Sequence, residues 1–340
     1  MGKCLGFIRA VLIQCALFWA CSVVAVQQSS LPTQRIDGVD YIALWDFTRL
    51  YNPSAQWRVE GQTLHVLGAN SMRVTVNSRD AEVNGLRVRL SAPIASANGR
   101  VMIARADALN GLLALWSSSS EPRRVATRGR VVIDPGHGGE NTGTRGRNSG
   151  EYEKTLVLDI SFRVERLLRE QGVEVVMTRR SDVFVELSDR AAIANRSRAD
   201  AFVSIHLNWA PDSAVNGIET FFLPPVGQPS AVRASSRFDN GQRFAGNEHD
   251  GANELLSQYV HRGVLAATGA ADRRVRGARF AVLRDTRIPA TLVECGYMSN
   301  VAEERKVLTE EYRERLARGI ANGIVQYLNG ARRLIGRAEG

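Results

Sequence analysis

The chain has 340 residues, 44% hydrophobic and 23% charged. That balance excludes disorder throughout and, at about 100–200 residues per domain, sets an expectation of two domains. The formal net charge of +9 suits an anionic partner such as nucleic acid, a membrane surface or an acidic polymer, and scattered arginines on solvated faces account for the same sum equally well.

The N-terminus comes first. Lys3 and Arg9 precede an apolar run over residues 10–26, interrupted only by Gln14 and Ser22, and small residues surround Ala25. This reads as a secretory signal peptide over 1–25. An uncleaved anchor is the rival, but the run is short for a span of roughly 20 apolar residues. Phe18-Trp19-Ala20 before Cys21 is a poor lipoprotein site, and no second apolar run could span a bilayer. Export to the periplasm or cell envelope makes nucleic acid a poor partner, leaves no stable membrane span after cleavage, and points to an envelope polymer. Cys4, Cys15 and Cys21 fall in the signal, so Cys295 stands alone, without an intramolecular disulfide, as a small core residue.

Residues 36–116 read as a small α+β module. "YIALWDFTRLY" (41–51) has helical periodicity. "TLHVLG", "SMRVTVN" and "AEVNGLRVRL" alternate as strands, with a hairpin at Asn84-Gly85. "VMIARADALNGLLALW" reads as a strand followed by a helix. The "VNG…L" hairpin followed by "NGRVMI" and a short helix resembles the N-terminal domain first described in copper amine oxidases. The module's one histidine, His65, provides no ligand cluster, and an envelope-binding role is the expectation. The Ser/Arg-rich stretch 117–130 reads as a linker.

From residue 131 strands and helices alternate. Strand-like runs are "VVI", "VEVVMT", "AFVSIH", "GIETFFL", "FAVLR" and "ATLVE"; helical runs begin at Glu153, near Ser188, near Ala252 and after Asn300. The expected class is α/β, an open, mostly parallel sheet with helices on both faces. Ligands in such sheets bind at the carboxyl ends of strands. His137, His206 and Glu294 stand at three such ends, and Glu153 opens the first helix after a glycine-rich loop. Two imidazoles and a carboxylate suit a borderline cation such as zinc, with a fourth position left for water. A lone histidine is more often structural than a ligand. A buried strand-end carboxylate such as Glu294, by contrast, is costly unless paired or metal-bound. Asp134 is read as stabilising its turn, ahead of orienting His137. His65, His249 and His261 are read as surface or loop residues.

Residues 131–329 resemble the zinc-dependent N-acetylmuramoyl-L-alanine amidases of the family-3 type. The resemblance rests on "VVIDPGHGGENTG", "EYEKTLVLDI", "TRRSDVFVELSDRAAIAN", "ADAFVSIHLN" and "RRVRGARFAVLRDTRIPATLVECGYMSN", which occur in the family's order. It implies one zinc ion held by His137, Glu153 and His206, with Glu294 as catalytic acid/base. The "EK" pair selects Glu153 over Glu151. Thr155 and Cys295 depart from the family's usual residues without removing a ligand. The implied reaction is hydrolysis of the amide between N-acetylmuramic acid and the stem peptide's L-alanine, with peptidoglycan as partner and any activator protein and the oligomeric state undefined. A zinc peptidase cutting within stem peptides and a catalytically silent wall-binding protein are the alternatives. The long, proline-containing segment over 224–250 is read as a cleft wall or lid.

Overall fold

The computed structural model describes residues 31–338 apart from 69, 91, 106, 113–128 and 233–240. The signal reading and nearly all of the linker therefore lie outside the described residues.

The N-terminal module contains β1 (Thr33–Ile36), β2 (Val39–Ala43), α1 (Leu44–Tyr51), β3 (Gln56–Glu60), β4 (Thr63–Leu67), β5 (Met72–Thr75), β6 (Asp80–Val83), β7 (Leu86–Arg89), β8 (Ala95–Ala97) and β9 (Arg100–Ala104). They form two antiparallel sheets, ordered β1-β2-β9-β8 and β3-β4-β5-β6-β7. Alternation sets the inward faces: Leu64 and Val66 of β4 and Met72 and Val74 of β5 are buried. Asn84 and Gly85 both have positive φ, +49° and +76°, as a two-residue hairpin requires. The helix expected over 41–51 begins only at Leu44, because Tyr41, Ile42 and Ala43 pair with β9. After β9 the described part of the expected helix is π-helical, Asp107–Leu112.

The second unit contains β10 (Gly129–Pro135), α2 (Glu153–Arg169), β11 (Val173–Met177), α3 (Leu187–Arg196), β12 (Ala201–Asn208), β13 (Ile218–Phe222), α4 (Asp250–Thr268), β14 (Asp272–Gly277), α5 (Ala281–Asp285), β15 (Ala290–Tyr297), α6 (Val301–Val307) and α7 (Glu310–Ala338). Its six-stranded sheet runs β11-β10-β12-β15-β13-β14. All pairings are parallel except β13 with β15, so the expected open, mostly parallel α/β sheet is the observed one. Helices α2, α4 and α7 pack together on one face, and α3 and α5 cover the other. "FAVLR" is not a strand. Its Val282 and Leu283 are buried in the short helix α5, and the strand in this region is β14, "DRRVRG". Sequence reading misses β14 because it is an edge strand with Val275 as its one buried residue, so it shows no apolar alternation.

The antiparallel direction of β13 decides where the long segment after it leaves the sheet. Gly246 packs against the carbonyls of Leu283 and Thr286, His249 Nε2 bonds Arg287 O at 3.0 Å, and Asn253 Oδ1 accepts from Ala290 N, at the start of β15. The described flanks of the expected lid thus lie at the edge opposite the carboxyl ends of β10, β12 and β15. The module meets the second unit where β7 contacts β14 and the π-helical turn contacts α4. Arg274 pairs with Asp80 across this contact, and Gln228 Nε2 donates to Asp107 Oδ1 at 3.2 Å.

Candidate metal centre

β10 ends at Pro135 and the chain turns at once, with Gly136 N donating to Ile205 O of the neighbouring strand at 3.0 Å. His137 follows with φ +60°, a left-handed conformation costly for a residue with a Cβ. Two buried arginines hold it there. Arg179 donates to Pro135 O (3.0 Å) and Gly136 O (2.8 Å). Arg190 donates to Pro135 O (2.8 Å) and His137 O (2.7 Å). Burial, and then the neighbouring Arg190 charge, lower the Arg179 pKa to about 10, so it remains a cation at neutral pH. Asp134 accepts from Thr178 (2.6 Å), Arg190 (2.7 Å) and Ser204 (2.7 Å). It serves the turn, as its sequence suggests, and does not bond His137.

Glu153 opens α2 with its side chain 1% exposed. Oε1 lies 3.1 Å from His137 Nε2 and 3.0 Å from His206 Nδ1 and accepts from Leu207 N at 2.9 Å. Oε2 accepts from Thr144 N at 2.8 Å. Burial alone would raise this carboxyl's pKa; hydrogen bonds from the two imidazoles outweigh it and hold the group well below the usual carboxylate range. Burial pulls the His137 pKa down, but the bond to Glu153 and its charge prevail and the pKa is raised. The remaining ring nitrogen of His137, Nδ1, donates to Asn141 Oδ1 at 2.8 Å, which fixes the ring and leaves Nε2 facing Glu153.

His137, Glu153 and His206 each offer one ligand atom, all within 4.8 Å of one another, a group that could hold a metal ion. The surrounding backbone is shaped to admit one. A Cβ on Gly136 would lie 2.2 Å from His206 Cε1; a Cβ on Gly143 would lie 2.5 Å from Glu153 Oε2 and 2.7 Å from His137 Cδ2. The donor set, two nitrogens and one oxygen, is that of three-ligand catalytic zinc sites.

Glu294 stands beside this group. On β15 it is the register partner of His206 on one side and of Glu219 on the other. Its Oε2 is buried and has no hydrogen-bond partner. Burial, followed by repulsion from Glu153 and Glu219, raises its pKa well above the ordinary carboxyl value. Glu219 is bonded by Tyr297 (3.0 Å) and Arg276.

The structure therefore brings all four sequence-selected residues to one edge. The side chain of Glu151, two residues from Glu153, accepts a local bond from Tyr152 N at 3.2 Å and is not in the group. Cys295 is buried and its thiol pKa is pushed up by burial, as a core residue's would be. His261 is a correction: it faces inward from α4, buried between Thr220 Oγ1 (3.0 Å) and Asp272 Oδ1 (2.9 Å), because its helical face packs on β13 and β14. Sequence reading gave Arg179, Arg190, Asn141 and Thr144 no role. The arginines carried no signal, since an arginine in a helix or after a strand is ordinarily solvent-facing.

An open α/β sheet carries two imidazoles and a carboxylate that could hold a metal ion at its carboxyl edge, with Glu294 alongside, an arrangement of the kind found in α/β hydrolases. Residues 131–326 match the sequence model described as N-acetylmuramoyl-L-alanine amidase, and the chain belongs to that family. It is similar to the N-acetylmuramoyl-L-alanine amidase AmiA of Salmonella typhimurium, 32% identical over 62% of this chain and 80% of the relative. It is also similar to the sporulation-specific N-acetylmuramoyl-L-alanine amidase of Bacillus subtilis, 35% identical over 59% of this chain and 68% of the relative. Among solved structures, the N-acetylmuramoyl-L-alanine amidase from Clostridium difficile superposes with a TM-score of 0.51 at 35% identity, covering 60% of this chain and 98% of that one. AmiC2 of Nostoc punctiforme does so with a TM-score of 0.50 at 36% identity, covering 59% and 97%.

Proposed function

We propose that this chain is a zinc-dependent peptidoglycan amidase, exported to the cell envelope, that cleaves the amide between N-acetylmuramic acid and the L-alanine of the stem peptide. The observation that carries the reading is the unpartnered Glu294 carboxylate beside the His137–Glu153–His206 group in a member of this family.

His137, Glu153 and His206 would hold the ion. Zinc, when bound in such a site, polarises a carbonyl and lowers the pKa of water towards ~7. The protein's part is positional and protonic. Arg179 and Arg190 fix the turn that carries His137, while Thr144 N and Leu207 N hold the two Glu153 oxygens. Glu294 takes the proton of the attacking water and passes it to the departing L-alanine nitrogen, because an amide nitrogen does not leave as an anion. The reading departs from a peptidase acting within stem peptides in its products, since an amidase frees intact stems.

Glu294→Gln tests it. Zinc content stays near one ion per chain, and turnover on purified sacculi falls by about 10²–10⁴-fold, the usual worth of a general acid/base. Mass spectrometry of the wild-type digest yields intact stem peptides. A Glu294→Gln enzyme working at the wild-type rate, or products cut inside the stem, would overturn the assignment.

A further inference from the structure

The N-terminal module lies outside the family match; Trp57 and Val101 pack against its core, yet Trp45 beside them stays 42% exposed. Trp45 of α1 and Trp57 of β3 lie with ring centroids 4.7 Å apart and planes tilted by 45°. With Leu64, Gly99, Arg100 and Val101 they line a cavity of about 270 Å³. Trp45 is 42% exposed, and the Arg49 guanidinium sits 5.5 Å from its ring centroid. Arg100 Nη2 reaches both carboxylate oxygens of Asp46 at 2.9 Å. Trp57 Nε1 is buried with no acceptor among the described residues. The cavity also has a telling position. β3 is one edge of the five-stranded sheet, and β7, at the other edge, is the strand that contacts the catalytic unit.

We propose that this cleft binds the glycan strand of peptidoglycan, an alternating chain of N-acetylated amino sugars; the inference rests on the amidase reading for its substrate polymer. A pyranose presents an apolar C–H face that stacks on an indole and a rim of hydroxyl and acetamido groups that pairs with a guanidinium–carboxylate edge. The cleft supplies both: the exposed Trp45 face, flanked by Trp57, as the platform and Arg100 with Asp46 as the polar edge. Concave apolar walls with a few fixed polar groups are the general form of such sites. Arg49 and Arg100 add positive charge suited to a polymer with acidic side peptides. Holding the glycan at the module's outer edge keeps neighbouring stem peptides at high effective concentration near the metal centre.

The full chain is titrated with two peptide-free probes, β-1,4-linked N-acetylglucosamine oligomers and glycan strands stripped of their stems, with indole fluorescence and calorimetry as readouts. The wild type binds both probes. Trp45→Ala weakens binding at least tenfold, Trp45→Phe restores most of it, and Arg100→Ala gives an independent loss should Trp45→Ala not fold. The loss of hydrolysis in Trp45→Ala is larger on sacculi than on a soluble muramyl peptide. A wild type that binds neither probe, or a folded Trp45→Ala chain that binds them equally well, sinks the proposal. So does a Trp45→Ala change that dissociates a dimer while saccharide binding persists, which would assign the face to a second copy of the chain. Binding to stripped glycan needs no catalysis, so failure of the amidase reading would appear separately, as retained binding without cleavage.

Discussion

A methyl group on Gly143 would stand 2.5 Å from Glu153 Oε2 and 2.7 Å from His137 Cδ2, at a backbone φ of +68° that disfavours any side chain. Gly143→Ala is therefore expected to displace two of the three ligand-bearing side chains and lower zinc affinity by about 10–100-fold, the range seen when a ligand's supporting contacts are lost; competition with a chelating dye measures it. Glu294 gives a second residue-scale test. Its folded-state pKa is raised, so the folded chain holds a proton that the unfolded chain releases at about pH 4.3. For a raised acid, stability is fully present below the unfolded pKa and is lost as pH rises towards the folded one. Metal-free Glu294→Gln should accordingly melt higher than the metal-free wild type at pH 7.5 and show little difference at pH 4. An equal gain at both pH values would show that charge on Glu294 is not what strains the apo protein. All four candidate residues were legible in the sequence because each ends an apolar strand or opens a helix. Their supports were not: Arg179 lies 42 residues after His137 and Arg190 lies 53 after it, and nothing local marks either as buried.

At the scale of elements, α6 acts on the pocket through the loop that leads to Glu153. The Glu304 carboxylate accepts from Asn148 N (3.0 Å), Ser149 N (2.7 Å) and Ser149 Oγ (2.7 Å). The approach is close enough that a Cβ on Gly146 would lie 2.4 Å from Glu304 Oε1. The same loop returns through Glu153 N to Thr144 O, 2.9 Å. Glu304→Ala leaves these donors without acceptor and should cost about 1–3 kcal/mol, read as a lower melting temperature, with faster proteolysis within 142–152 and weaker zinc binding. If melting falls while both of the others hold, α6 steadies the fold without steadying the pocket. Element types followed local pattern closely here. The start of α6 was visible as an asparagine before acids, and Asn300 Oδ1 does accept from Ala302 N and Glu303 N. The failures were elements set by distant partners: β2, drawn into a sheet by β9, and β14, an edge strand whose arginines hide its one inward valine.

Across the whole molecule, the candidate metal centre is assembled on a sheet whose core does not include it. Val131, Ile133, Val203, Ile205 and Val293 are fully buried beneath the site, and the ligand side chains are already held by protein hydrogen bonds. Exhaustive chelation is therefore expected to abolish hydrolysis yet leave the far-ultraviolet circular dichroism intact, with activity returning on addition of zinc. Unfolding on chelation would mark the ion as structural, in the manner of zinc-finger domains. The module shares the larger buried cluster with the catalytic unit, which gives the two units a common core along the β7–β14 contact.

The sequence by itself determined the α/β class, the choice of four candidate residues at strand ends and a helix start, and the family, because apolar periodicity, turn residues and motif order are local properties of the chain. Tertiary structure alone decided three other things: that β13 runs antiparallel and leads the described flanks of the long segment to the far edge of the sheet, that His261 turns inward, and that two arginines grip the His137 turn. Each depends on which surfaces meet after folding, and a one-dimensional pattern records burial and spacing without recording the partner.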